Sequence, residues 1–302
     1  MSRDILASYP AARRMAYRAM DGFANRCPMQ LMRLIAHALG SLAYCLDARG
    51  RRTVGRNLSH FIPASAPEAR SRAVLASYRN FATALGEGLR LGHLPEAYLS
   101  PERLRVVDPW KVFAGRPLKG PAILVTVHAN WALLLAAAHH LRFFEQVEAI
   151  SLSHGDPMID HLFERKRARA GCRSLLLDRA PLAALRALKN ERILGLLADR
   201  DYTGNGVRVP FGDHYMAVPP GPAALAVQTS SPIIPMFMAR SGPRSFVLII
   251  AKPMRCDDRE PKQQQVRQLT ERLSRTLGRF IASAPAQWVA FHDAWGNGRP
   301  GH

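Results

Sequence analysis

Residues 121–142 read PAILVTVHANWALLLAAAHHLR, an apolar run that stops at a histidine and resumes with a different period. Ile123 to Val127 is short, β-branched and bounded by Gly120 and Pro121, which predicts a buried strand. After His128, Asn130 is placed to cap a helix on which Trp131, Leu134, Leu135 and Ala138 recur at helical spacing. His128 therefore falls in a strand-to-helix turn, at the edge where open α/β sheets gather ligands and reactive groups.

Beyond Gly120 the pattern keeps alternating. Strands are predicted at 147–152, 175–177, 193–198, 233–238 and 246–251, and helices at 158–170, 181–189, 222–229 and 264–284. The segment between Asp201 and Pro220, with Gly204, Gly206 and Gly212, reads as a loop. This order predicts an α/β fold with a mainly parallel central sheet covered by helices on both faces. Before it, residues 1 to about 100 read as helical, with Ser65-x-x-Glu68 as a capping box opening a helix that runs to about Leu91. Residues 94–120 read as a connector holding an edge strand at 104–107. We expect a helical, membrane-associating lobe over 1–110 and an α/β domain over 111–302, or both as one continuous domain.

Lys and Arg total 42 against 23 Asp and Glu, a formal charge of +19 that favours anionic partners. Zinc-finger spacing, an RNP-type aromatic motif and a basic helix beside heptads are all missing, which argues against nucleic acid. The best membrane candidate, Leu31 to Leu46 (LMRLIAHALGSLAYCL), is interrupted by Arg33, His37 and Gly40 and falls short of the ~20 apolar residues a span needs. It reads either as a helix lying at an anionic membrane surface, with Arg13, Arg14, Arg18, Arg26, Arg49, Arg51 and Arg52 for headgroups, or as an ordinary amphipathic helix packed on the domain. The first 25 residues do not form a signal peptide pattern. Cys27, Cys45, Cys172 and Cys256 are widely spaced, which indicates a reducing compartment rather than a zinc site or a disulfide framework.

Three predicted strand ends carry polar groups: His128, Ser153-His154, and Asp199 with Asp201. A basic helix with Arg165, Lys166, Arg167 and Arg169 begins just past the second. A base, an acid to orient it and cations for an anionic substrate are the parts needed to move an acyl or phosphoryl group onto a hydroxyl.

The segment 123–131 resembles the signature of the bacterial lipid A biosynthesis late acyltransferases, within the wider lysophospholipid acyltransferase group, in which a strand runs into His, then Asn-Trp, then an acid. The resemblance continues in Leu177-Asp178-Arg179, Ala198-Asp199-Arg200-Asp201-Tyr202, Val209-Pro210-Phe211-Gly212 and Gly221-Pro222-Ala223-Ala224-Leu225-Ala226. Arg51 to Pro63 (RRTVGRNLSHFIP) and Pro285 to Trp288 before His292 extend it over nearly the whole chain. It implies a membrane-associated enzyme that moves a fatty acyl group from acyl carrier protein, or from coenzyme A, to a hydroxyl of a membrane glycolipid. It further implies the cytoplasmic face of the bacterial inner membrane, peripherally or shallowly inserted, a histidine general base, and neither metal nor cofactor.

In the family pattern a carboxylate follows the histidine in a His-x4-Asp/Glu arrangement. Here His128 is followed by Ala129-Asn130-Trp131-Ala132-Leu133, and the acid is missing. Asp199, at the end of a strand expected near that of His128, is the first substitute and Asp201 the second. The expected catalytic residues are thus His128, Asp199 and Asp201, and the expected substrate-binding residues Asn130, Trp131, His154, Arg165, Arg167, Arg169 and Arg200. The alternative is a catalytically degenerate relative that binds a lipid or acyl chain without transfer.

Overall fold

The computed structural model describes residues 10–296 except 152, 154, 177–179, 203, 212–213 and 258. Strand β1 (Leu104–Val107) comes first, at one edge of the sheet. Next along the chain are β2 (Ala122–Thr126), α5 (Trp131–His140), β3 (Val147–Ser151), α6 (Pro157–Arg169), β4 (Cys172–Leu176), α7 (Ala180–Lys189) and β5 (Ile193–Leu197). A hairpin, β6 (Val207–Phe211) and β7 (His214–Val218), precedes α8 (Gly221–Thr229), β8 (Ile233–Arg240), β9 (Phe246–Ile250) and α9 (Lys262–Ser283). The seven-stranded sheet has the order β1-β9-β8-β2-β5-β3-β4, and every neighbouring pair is parallel except β8–β9.

β2 lies at the centre and is buried along its whole length. Its alternate residues feed two cores, because successive strand side chains point to opposite faces. Ile123, Val125 and Val127 pack with Ala184 of α7, Ala223 of α8 and Leu273 and Leu277 of α9. Ala122 and Leu124 pack with Leu133 and Ala137 of α5 and with Phe143. Each fully buried side chain of this size stabilises the fold by about 1.5–3 kcal/mol relative to exposure.

Among the described residues four α-helices precede the sheet: α1 (Pro10–Arg26), α2 (Met29–Leu46), α3 (Ala48–Ser59) and α4 (Pro67–Leu89). α2 lies against α4 through Met32, Ala36 and Gly40. At Gly40 a Cβ would fall 2.7 Å from the Tyr78 carbonyl oxygen, so only glycine lets the two backbones approach this closely. α1 runs along α6, where Arg14 donates to Asp156 at 2.7 Å and the buried Lys166 ammonium pairs with Asp21 and donates to the Leu89 carbonyl. α3 and α4 grip the segment after α9. Asn57 donates to the Ala290 and His292 carbonyls at 2.8 and 2.7 Å, and Asn80 to that of Ala286 at 2.9 Å.

Several local expectations need correction. The segment before Pro220 holds the β6–β7 hairpin as well as loop, and Ser274 of α9 donates to the Pro210 carbonyl at 2.6 Å to hold it. Ser65 does not cap α4: the N-cap position is Ala66, with no side-chain bond, and Pro67 starts the helix without an amide hydrogen to satisfy. The edge strand expected at 104–107, by contrast, is present as β1, paired with β9.

Candidate active site

The paired register of β2 and β5 builds the site. Thr126 stands opposite Leu197, and Ala198 N–H donates to the Thr126 carbonyl at 3.0 Å, so two residues further along both strands His128 and Asp199 emerge side by side. The His128 backbone N–H lies 3.1 Å from both Asp199 carboxylate oxygens, and Nδ1 of the ring is 2.7 Å from Oδ1. From the other side the indole Nε1–H of Trp288 donates to Oδ2 at 2.7 Å. Asp199 is 1% exposed. Burial alone would raise its pKa, but the His128 ring, the Arg200 guanidinium and the Trp288 indole hold it well below the usual carboxylate range. An ionised carboxylate only accepts, so Nδ1 carries the hydrogen and the lone pair of a neutral ring sits on Nε2. That atom faces outward, 3.4 Å from the Tyr202 hydroxyl, and the His128 side chain keeps 20% of its exposure.

The strap after α9 closes the back of the pair. Val289 N–H donates to the His128 carbonyl at 2.8 Å, and Arg200 donates to the Val289 carbonyl. Nearby, His292 is pushed down to about 4 by burial first and then by the positive charge of Arg200, so it is neutral at pH 7. Among the described residues no three His, Cys, Asp or Glu side chains gather as a metal-ligand set.

The remaining expected residues divide. The Asp201 carboxylate accepts from Gly204 N–H at 3.2 Å and Gly206 N–H at 2.6 Å and shapes the loop that carries Tyr202. Asn130 has left-handed backbone (φ 48°) and no cap bond, contrary to the capping expectation. Its amide turns inward to the Met238 carbonyl at 3.1 Å and to Gln287 Oε1 at 2.7 Å. Trp131 is half-buried against the α5-side core, and His154 lies outside the described residues.

The basic residues of α6 are not at the site. α6 starts where β3 ends but descends beside the sheet for 13 residues, about 20 Å, and Arg169 directly precedes β4 at the opposite edge. Arg167 donates to Ser174 of β4 at 2.8 Å, Arg169 contacts His93, and Arg165 is exposed on the same last turns. The last turns of α6 lie away from the edge where it starts, because a crossover helix runs antiparallel to the strands it joins.

Trp288 and Tyr202 were not singled out as site residues from the sequence, although both stand in segments that resembled the family. Nothing in one sequence marks which of 4 tryptophans reaches a carboxylate 89 positions away.

The α/β sheet thus holds the buried Asp199 carboxylate against the His128 imidazole at its reacting edge. The family of bacterial lipid A biosynthesis acyltransferases matches residues 17–297, and the chain belongs to it. It is an acyltransferase of lipid metabolism. A phosphatidylinositol mannoside acyltransferase of Mycolicibacterium smegmatis is 25% identical over 280 residues, covering 88% of each chain. A phosphatidylinositol mannoside acyltransferase of Mycobacterium tuberculosis is 30% identical over 119 residues, 39% of this chain and 36% of that one.

Proposed function

We propose that this enzyme moves a fatty acyl group from a thioester donor, acyl carrier protein or coenzyme A, to a hydroxyl of a phosphate-bearing membrane glycolipid. His128 is the general base. Its Nε2 takes the acceptor's proton as the oxygen attacks the thioester carbonyl; the C–O bond forms, the C–S bond breaks, and the proton passes on to the departing thiolate. Asp199 holds the ring in the productive tautomer and stabilises the imidazolium, in place of the acid missing from 132 and 133. The observation that carries this reading is the 2.7 Å contact between His128 Nδ1 and the fully buried Asp199 carboxylate, with Nε2 left open. A buried aspartate, already ionised and aimed at the one ring nitrogen that must keep its hydrogen, argues for a working base rather than a degenerate site. The mannoside acyltransferases among its relatives favour a mannosylated phosphatidylinositol as acceptor over a lipid A precursor.

We place the enzyme at the cytoplasmic face of the bacterial inner membrane. No helix among the described residues is long and apolar enough to cross a membrane. α2 nonetheless turns Leu31, Leu34, Leu42 and Leu46 to solvent while Ala36 and Gly40 face α4, and Phe23 of α1 lies with Leu31 on the same apolar surface. An 18-residue helix with leucines outside and glycine inside suits a bilayer surface, where the exposed side chains bury in the interface. Arg18, Arg26, Arg49 and Arg52 remain exposed around it, whereas Arg14 and Arg51 are engaged by Asp156 and by the carbonyls ending α2.

Acyl transfer from labelled acyl carrier protein or acyl-coenzyme A to phosphatidylinositol mannosides tests the reading. Transfer should be lost in His128→Ala with folding intact. Full activity of that variant would overturn the mechanism, and binding of the acceptor without any transfer by wild type would establish the non-catalytic alternative.

A further inference from the structure

We propose that Arg33 and His37 of α2, Arg79 of α4 and Arg240 at the end of β8 form a cradle for the phosphate of an anionic membrane lipid. Under the function proposed above, on which the identity of the lipid rests, that phosphate is the acceptor's own phosphodiester.

Arg33, His37 and Ser41 stand four residues apart on one half-buried flank of α2, between the seam packed on α4 and the leucine face. The glycine contact at residue 40 draws α4 so near that Arg79 donates to the Ser41 hydroxyl at 2.9 Å. Arg240 comes from the sheet to Glu87, on the turn of α4 where Gly86 meets Met32 beside Arg33. Its side chain is 8% exposed, Nη2 pairs with Glu87, and the guanidinium lies 5.4 Å over the Phe246 ring. The Tyr98 hydroxyl also lies beside its guanidinium, while Nε of Arg240 and Nε of Arg33 have no hydrogen-bond partner. Between them on α2, His37 has its pKa lowered by burial first and then by the charges of Arg33, Arg79 and Arg240. The one neighbouring acid, Glu87, is taken up by Tyr98 and Arg240. Three guanidinium groups thus line one side of the α2–α4 seam, where Glu87 is already paired.

Unpaired donors and excess positive charge inside a protein are costly, and a tetrahedral anion with several acceptor oxygens is the group that relieves both. The cradle's position suits a lipid rather than a free ion. Its α2 wall carries the exposed leucines on the adjoining face, so a phosphate bound there lies at headgroup depth when those leucines enter the bilayer. It is also tied to the reacting edge: the backbone N–H and carbonyl of Arg240 are both bonded to Gln287, whose Oε1 also accepts from Asn130, two residues after His128. A headgroup anchored at the cradle would present its sugar hydroxyls toward that edge.

The test uses the full chain and a short-chain phosphatidylinositol kept below its micelle concentration, followed by calorimetric titration. Arg33→Gln/Arg79→Gln, both at half-buried positions outside the Glu87 pair, should weaken binding about tenfold or more, the effect of losing a charge-assisted bond to phosphate. Arg275→Gln/Arg279→Gln on the exposed face of α9 changes net charge equally and should leave binding as in wild type. A phosphate-free mannosyl diacylglycerol of the same chain length should bind equally weakly to all. Equal binding of the phosphoinositide by wild type and the α2–α4 variant would overturn the cradle, as would equal losses in both variants. Inorganic phosphate that bound as tightly as the lipid would overturn the lipid assignment. Because titration needs no turnover, failure of the acyl-transfer assay and failure of the cradle are separate results. In the active enzyme the same variant should raise KM for the acceptor while leaving kcat within about twofold, as for a group that holds ground state and transition state alike.

Discussion

Trp288 donates its indole hydrogen to Asp199 Oδ2 at 2.7 Å, from the far end of the chain, and so completes the carboxylate whose other oxygen holds His128. The bond keeps a buried charge satisfied and fixes the direction from which it addresses the imidazole. Trp288→Phe keeps an aromatic ring between Phe61 and Phe211 but deletes the donor. With about 1.5–3 kcal/mol at stake for a hydrogen bond to a charged group, we expect kcat to fall about tenfold and the melting temperature to drop by several degrees. Unchanged kinetics would show that the indole only fills space.

Asp199→Asn should be far more damaging. The amide can present its NH2 to Nδ1 and favour the wrong tautomer, and loss of the equivalent carboxylate in a related triad costs about 10⁴ in rate. Steady-state acyl transfer, with circular dichroism to verify the fold, measures this; retention of more than a tenth of the activity would remove Asp199 from the mechanism.

Tyr202→Phe separates a neighbour from a base. The phenol hydroxyl is 3.4 Å from Nε2, too long for more than a weak bond, and Tyr202 is exposed. We expect less than about a tenfold loss in kcat/KM, against the near-complete loss in His128→Ala. A Tyr202→Phe variant as dead as His128→Ala would make the phenol part of the proton path.

His292 predicts a pH dependence of stability. Its folded pKa, about 4, lies below the unfolded value near 6.5, so the unfolded chain binds more protons between these values. The stabilisation of the neutral, buried ring is complete above pH 6.5 and is lost as pH falls toward 4. Denaturant titrations should show about 1–3 kcal/mol lost from this group over that window. His292→Gln, which cannot take the proton, should flatten the slope; an unaltered slope would assign the acid sensitivity elsewhere.

Leu34→Glu/Leu42→Glu should detach the enzyme from anionic vesicles. Both side chains are more than half exposed, 68% and 54%, so folding should survive. Withdrawing two leucines from the interface at about 1.5–3 kcal/mol each weakens the partition coefficient at least a hundredfold. Co-sedimentation equal to wild type would place the membrane contact on another face.

The sequence alone was enough for the α/β order, the central strand before His128 and the neighbourhood of Asp199. These follow from local signals: β-branched runs bounded by glycine and proline, helical periodicity, and the rule that parallel strands open on one edge. Local signals failed where the partner was distant or the backbone unusual. The left-handed turn at Asn130 sends its amide inward to Gln287. The hairpin was hidden because VRVPF and HYMAV are short and sit among glycines and prolines, although Gly212-Asp213 between them was a readable turn signal. The direction of α6 took its arginines away from the site, since residue spacing along a helix does not say which end of the sheet that end reaches. Only the tertiary structure decided that the indole 89 positions after Asp199 would share its carboxylate, and that Arg240 of the sheet would pair with Glu87 of α4. Strand pairing and helix docking join residues by register across the fold, and that register depends on the packing of whole faces rather than on any stretch read by itself.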